Sequence, residues 1–161
     1  MSIRIDFAES TIDFDKARQL FLEYADSLGF SLSFQGFEEE LENLPGKYAS
    51  PDGCILLAWD ELECVGCVGL RPLNQNVCEM KRLYVKPAFR RTGLGRFLAE
   101  KIVQQGSQKS YVRMQLDTLS SMKYAMKLYR SLGFVETDPY YNNPHPEVVF
   151  FEITLDKPTP A

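Results

Sequence analysis

The chain has 161 residues, 45% of them apolar, 12% aromatic and 25% charged, with a formal net charge of −4. This suits one globular domain, expected over residues 1–156 with a flexible tail at 157–161, and excludes disordered and fibrous classes. No apolar run approaches the roughly 18 residues a membrane span needs, and no signal-peptide pattern precedes Arg4 and Asp6, so a soluble, cytoplasmic protein with no membrane partner is expected.

Charge is unevenly spread. Residues 1–78 hold 5 basic and 14 acidic side chains, residues 79–113 hold 9 basic and 2 acidic, and the remainder 4 basic and 6 acidic. A basic island in an acidic chain points to one anionic ligand rather than to nucleic acid.

In chain order, Ile3–Phe7 alternates like a strand. Ala17, Leu20, Phe21, Tyr24, Ala25 and Leu28 recur at helical spacing up to Gly29, and Phe37–Leu44 is a short, very acidic helix closed by Pro45-Gly46. Cys54–Trp59 and Cys64–Leu70 form a hairpin about Asp60–Glu63, followed by a long strand, Val77–Val85. A helix runs from Gly93 to Gly106, then come a strand at Val112–Asp117 and a helix from Met122 to Gly133. Phe134-Val135 and Val148–Leu155 close a sheet around a Pro-, Asn- and Tyr-rich loop, Asp138–Pro146. The elements describe one α+β domain with a mixed sheet.

Cys64 and Cys67 have the spacing of half a zinc or redox site, but Cys54 and Cys78 form no second such pair. In a strand, residues three apart point to opposite faces, so free thiols and no metal are expected.

The informative stretch is Arg90-Arg91-Thr92-Gly93-Leu94-Gly95, between a strand and a helix. Its glycines let backbone approach a ligand, the new helix presents free N–H groups, and Lys86, Arg90, Arg91 and Arg96 add charge: a cradle for a pyrophosphate. It is not a P-loop, which needs Gly-Lys-Ser/Thr, nor a dinucleotide fingerprint, because position 98 is Leu.

These residues resemble the acetyl-CoA motif Gln/Arg-x-x-Gly-x-Gly/Ala of the GNAT N-acetyltransferase superfamily. Met80–Pro87 is similar to the family's preceding strand, and Ala125-Met126-Lys127-Leu128-Tyr129-Arg130-Ser131-Leu132-Gly133-Phe134 to its Ala-x-x-Leu-Tyr-x-x-x-Gly-Phe signature. The Asp138–Phe151 segment is similar to a bacterial stand-alone, small-molecule branch. The resemblance implies a GNAT-like domain with a mixed, mostly antiparallel sheet, splayed central strands and about four helices. It implies acetyl-CoA as co-substrate, no metal, and direct acetyl transfer to a small primary amine, such as an amino acid, in a ternary complex.

On the same resemblance, Leu83, Tyr84, Val85, Arg90, Arg91, Thr92, Gly93, Leu94, Gly95 and Arg96 bind the cofactor. Tyr129 is the general acid and Glu79 the base. Phe34, Gln35, Arg71, Tyr140, Tyr141 and Asn142 meet the acceptor, with Arg71 as a clamp for a carboxylate. His145, between two prolines, reads as a surface histidine. Met122 stands where many members carry an Asn that touches the pantetheine, so Ser120 or Ser121 would have to supply that contact. A homodimer is compatible with the family. Acetylation of a protein lysine or N-terminus, and a non-catalytic acyl-CoA sensor, are the alternative readings.

Overall fold

The computed structural model describes residues 2–33 and 36–156, so Phe34, Gln35 and the 157–161 tail lie outside the described residues. Strand β1 (Ile3–Phe7) leads to helix α1 (Thr11–Leu28). A capping box starts α1: Asp13 N–H donates to Ser10 Oγ at 3.1 Å, and Ser10 N–H donates to the Asp13 carboxylate at 3.2 Å. Helix α2 (Phe37–Glu42) stops earlier than the expected Leu44, at the C-cap Asn43, whose N–H donates to Glu39 O at 3.1 Å, just before Pro45.

Strands β2 (Cys54–Asp60), β3 (Glu63–Pro72) and β4 (Val77–Val85) continue β1 as an antiparallel meander. Helix α3 (Leu94–Gln108) then crosses over to β5 (Arg113–Leu119), followed by α4 (Lys123–Ser131), β6 (Val135–Thr137) and β7 (Val148–Thr154). The sheet order is β1-β2-β3-β4-β5-β7-β6, and among the described residues only the β4–β5 pair is parallel. A parallel pair needs a long crossover, which α3 supplies.

Two apolar layers cover the sheet. On one face α3 and α4 bury Leu98, Ile102 and Leu128 against Leu116, Phe134 and Phe151; on the other, α1 and α2 bury Leu20, Phe21 and Phe37 against Ile55, Leu57 and Tyr48. No helix among the described residues is long and apolar enough to cross a membrane.

Two expectations are corrected. Gly106 does not end α3 but lies buried in its last turn, where a Cβ would meet Leu155 Cδ1 and Met114 Cε at 3.0 Å. Packing against the β5 side, not chain termination, selects this glycine. Cys64 and Cys67 share the α1 face, because an irregularity in the β2–β3 register between Ala58 and Trp59 breaks the simple alternation. All four cysteines are free and buried.

Two features of β4 shape the site. Its ladder with β5 covers only Val77–Glu79 against Arg113–Gln115, beyond which the strands part. It also carries a bulge: Cys67 pairs with Tyr84 and Gly69 with Lys81, so Arg82 and Leu83 together oppose Val68. Arg82 takes φ +62°, a left-handed conformation unusual for a side-chain-bearing residue. The bulge inverts the alternation, so Cys78, Met80 and then Val85 lie on the α3 face, and Tyr84 on the α1 face.

Candidate active site

The opening between β4 and β5 is continuous with a cleft of about 580 Å³. Its walls include Leu83, Tyr84, Val85, Arg90, Arg91, Gly93 and Gly95 from the strand and turn, with Tyr24 from α1 and Met122, Tyr124 and Leu128 opposite. Lys86 N–H donates to Val65 O at 2.9 Å, which makes Val65–Lys86 a hydrogen-bonded pair and turns the N–H and C=O of Val85 away from β3, into the cleft. Arg90 Nε takes that carbonyl at 2.8 Å while its guanidinium lies 5.4 Å from the Tyr84 ring centre, so the strand edge offers the cleft an N–H group.

The turn after β4 is built for a close ligand. Gly93, the N-cap of α3, has φ +87°, and no side chain caps the helix, so its first N–H groups face outward. At Gly95 an added Cβ would meet only Val85 Cγ2, at 3.9 Å. The protein's own packing does not require glycine there, and the space belongs to the cleft. Three other residues of the motif support the turn rather than line the cleft. Thr92 Oγ1 donates to Phe89 O at 2.7 Å, Leu94 is buried in the core, and Arg96 donates to the Ser131 hydroxyl, tying α3 to the end of α4.

Deeper in the splay a second cavity, of about 70 Å³, is lined by Tyr24, Lys81, Leu83, Asp117, Met122 and Tyr129, among others. The Tyr129 ring packs against Phe134 and Phe151, with centroids 5.8 and 6.3 Å away. Its hydroxyl has no hydrogen-bond partner among the described residues, yet no sealed side-chain oxygen lacks one, so it opens on this cavity. Burial, with Tyr24 and Asp117 nearby, pushes the phenol up, so it stays protonated at neutral pH.

Next to the cavity lies a charge network. Arg71 Nε donates to Glu79 Oε1 at 2.8 Å, and Tyr140 donates to Glu79 Oε2 at 2.5 Å. Arg82 binds Glu40 through two nitrogens, at 2.9 and 3.1 Å, with its guanidinium 5.0 Å from the Phe37 ring centre. Lys81 Nζ lies 3.9 Å from Glu79 Oε2 and 3.8 Å from Asp117 Oδ1. Tyr141 donates to Asp117 Oδ2, and Asn143 Nδ2 reaches the same oxygen at 3.3 Å. Burial lowers the Lys81 ammonium despite its two carboxylate neighbours. Burial works to raise Glu40, but Arg82 and Arg71 outweigh it and hold the carboxyl below its usual range.

The structure thus brings together Glu79, Arg71, Tyr140 and Tyr141 among the expected residues. Glu79 is 1% exposed with both oxygens engaged. Arg71 spends its charge on Glu79 and, at 3.7 Å, on Glu40. Asn142 is exposed, and its neighbour Asn143 makes the contacts instead. His145 stacks on Phe30 at 4.4 Å and accepts the Glu147 N–H on Nδ1. Sequence reasoning missed Tyr24, Glu40, Lys81, Arg82 and Asp117 as site residues. The signal for Lys81 and Arg82 was their place on a strand otherwise buried on both sides. Among the described residues no cluster of three or more His, Cys, Asp or Glu side chains is arranged to hold a metal ion.

The family model for the GNAT acetyltransferase family matches residues 16–134. An uncharacterised N-acetyltransferase of Schizosaccharomyces pombe is 40% identical over 158 residues, covering 97% of each chain. A GNAT-family acetyltransferase structure from Staphylococcus aureus aligns with TM-score 0.80 at 20% identity, over 96% of this chain and 100% of that one. One from Elizabethkingia anophelis, with acetyl-CoA bound, aligns with TM-score 0.66 at 24% identity, over 95% and 98%. The chain belongs to the GNAT acetyltransferase family, and its α+β fold with a splayed, mostly antiparallel sheet is the fold of those structures. It is accordingly an acyltransferase.

Proposed function

We propose that the protein transfers the acetyl group of acetyl-CoA directly to the primary amine of a small molecule. The observation that carries this reading is the parting of β4 and β5 beyond Glu79, with the uncapped start of α3 at one end of the gap and the Tyr129 hydroxyl at the other. The acetyl-CoA-bound structure of the Elizabethkingia relative supports the choice of co-substrate.

The outward N–H groups at Gly93–Arg96 and the charges of Arg90 and Arg91 receive the pyrophosphate. The strand edge at Leu83 and Val85 pairs with the amide-bearing arm, and the Val85 N–H stabilises negative charge that develops on the thioester oxygen. The amine first gives one proton to a carboxylate of the Glu79–Asp117 pair and then attacks the thioester carbon. A C–N bond forms as the C–S bond breaks. Tyr129 protonates the departing sulfur and is refilled by the surplus proton on the new amide nitrogen. Because Tyr129 touches only hydrocarbon apart from its hydroxyl, its proton is available for this step.

Thiol release from acetyl-CoA with a panel of primary amines, amino acids and peptides tests the reading. Turnover with a small amine that Tyr129→Phe abolishes supports it. Turnover with peptides only, or full activity in Tyr129→Phe, overturns the substrate or the acid assignment respectively.

A further inference from the structure

Resting on the acetyltransferase reading, we infer that Tyr24 and Met122 flank a passage that limits the donor's acyl group to acetyl or propionyl, and that the Met122 side chain sets this limit. Three observations lead there.

The first is where the passage lies. The large cleft and the inner cavity share four wall residues, Tyr24, Leu83, Met122 and Ala125, whereas Tyr129 lines the inner cavity and not the cleft. A thioester whose sulfur takes the Tyr129 proton has therefore passed this ring of four with its acyl group ahead of it. Tyr24 and Met122 also line a third space, of about 20 Å³, on the side of Phe30 and Val148. Of the four, these two stand where all three spaces meet, one on α1 and the other at the N-cap of α4.

The second is the room beyond the ring. The inner cavity holds about 70 Å³, which at about 10–15 Å³ for each water is space for roughly five heavy atoms. A thioester carbonyl, its methyl group and the head of an attacking amine fill it. Met80, Leu116 and Tyr129, all buried, close it on the core side. On the other side stand Lys81, paired with Glu79 and Asp117, and Arg82, paired with Glu40, and a hydrocarbon chain laid against these ion pairs strips them of water at a cost. The third space has room for little more than one water, so it gives a longer acyl chain no way out.

The third is which side of the passage can be adjusted. The Tyr24 ring is braced edge-on by Tyr84, with centroids 6.4 Å apart, and by the Arg82 guanidinium 5.9 Å from its centre. Leu83 is part of β4, and Ala125 carries nothing beyond its Cβ. The Met122 backbone is pinned as well: its N–H donates to Leu119 O at 2.9 Å and its C=O accepts the Met126 N–H at 3.0 Å. Its side chain meets the Thr118 hydroxyl through a weak contact of 3.8 Å to the sulfur. An unbranched thioether on a fixed backbone fills whatever gap it is left, so its length decides how much of the passage stays open.

The test measures thiol release from acetyl-, propionyl- and butyryl-CoA by the full-length protein with the same panel of amines, alongside calorimetric titration of acetyl-CoA and butyryl-CoA. A methylene too many in a closed pocket costs about tenfold or more, so kcat/KM for butyryl-CoA is expected to lie about a hundredfold below that for acetyl-CoA, with propionyl-CoA between them. Met122→Ala, confirmed folded by its melting transition, removes as much side chain as butyryl adds and raises the butyryl-to-acetyl ratio by about tenfold or more. Met122→Ser opens the passage equally with a residue favoured at a helix N-cap, and serves if Met122→Ala does not fold. A parent that uses butyryl-CoA as well as acetyl-CoA, or a ratio unmoved in the folded variant, overturns the inference while leaving the acetyltransferase reading intact. If no amine turns over, the titration decides. Butyryl-CoA binding that is weaker than that of acetyl-CoA in the parent and recovers in Met122→Ala upholds the passage. Affinity no weaker in the parent, or a deficit that the variant leaves in place, overturns it. If neither thioester binds, the acetyl-CoA reading falls and the passage with it.

Discussion

Tyr129 and Arg82 show how differently two buried polar residues can be held. The Tyr129 ring is fixed by Phe134 and Phe151 and its hydroxyl by no hydrogen bond among the described residues, so Tyr129→Phe removes a proton donor without removing one of these contacts. We expect kcat to fall by about 10²–10⁴-fold, the usual contribution of a positioned acid, with the thermal midpoint unchanged; steady-state kinetics and a melting curve check this together. Arg82 is the opposite case. Its side chain is 2% exposed, doubly bonded to Glu40, and sits on a residue with positive φ. Arg82→Ala leaves the buried Glu40 carboxylate with only Arg71, at 3.7 Å, and the Tyr48 hydroxyl, and we expect a loss of about 3 kcal/mol in urea unfolding. The double variant with Glu40→Ala should lose less than the two single losses added together, because the two residues share one interaction.

At the level of elements, the turn between β4 and α3 separates two uses of glycine. Gly93 needs its φ of +87° for the chain to enter the helix, whereas Gly95 has room for a Cβ within the protein itself. Gly95→Ala should therefore keep its stability and lose about tenfold in acetyl-CoA affinity by calorimetry; an unchanged affinity would show that the cofactor backbone does not pass this residue.

This turn was legible in the sequence because the motif is local: two glycines between a strand and a helix, with arginines beside them. Strand β4 was legible as an element and its bulge was not. A one-residue insertion in a ladder is decided by what β3 and the helices above demand, so although two cations on an otherwise buried strand mark Lys81 and Arg82 as unusual, the face each one takes had no marker along the chain. Asp117 was hidden for a similar reason. It lies on a strand that alternates normally, and only the parting of β4 from β5 gives it a cavity to face. Tyr24 was read as part of an apolar stripe, which it is, with its hydroxyl end at the site. Glu40 lay in an acidic run that reads as a solvated helix face, and only the fold turns this one member inward.

For the whole molecule, stability is bounded on both sides of neutral pH by groups whose titration the fold shifts. Asp13 and Glu40 are held below their ordinary values, Asp13 by the Glu9 backbone N–H and Ser10, Glu40 by Arg82 against the effect of burial. The unfolded chain takes up protons on these groups first, so their contribution is present above about pH 4.5 and is lost as pH falls further. On the alkaline side, burial pushes Cys54 and Cys64 up to about 11, and Cys78 and Tyr24 up to about 12. There the unfolded chain releases protons first, so stability declines from about pH 9 upward. Thermal midpoints measured from pH 3 to 11 should trace a plateau with these two edges. A midpoint that holds constant from pH 9 to 11 would contradict the burial of these thiols and phenols.

The three residue pairs that join β4 to β5 have a mechanical meaning. They make the sheet two leaves on a short hinge, a four-stranded leaf carrying α1 and α2 and a three-stranded leaf reached through α3. On the proposed reading, an extended, amide-bearing co-substrate laid between the leaves takes the place of the strand the sheet lacks there and serves for a time as a structural member of the protein, with the three pairs holding the two leaves together at one end.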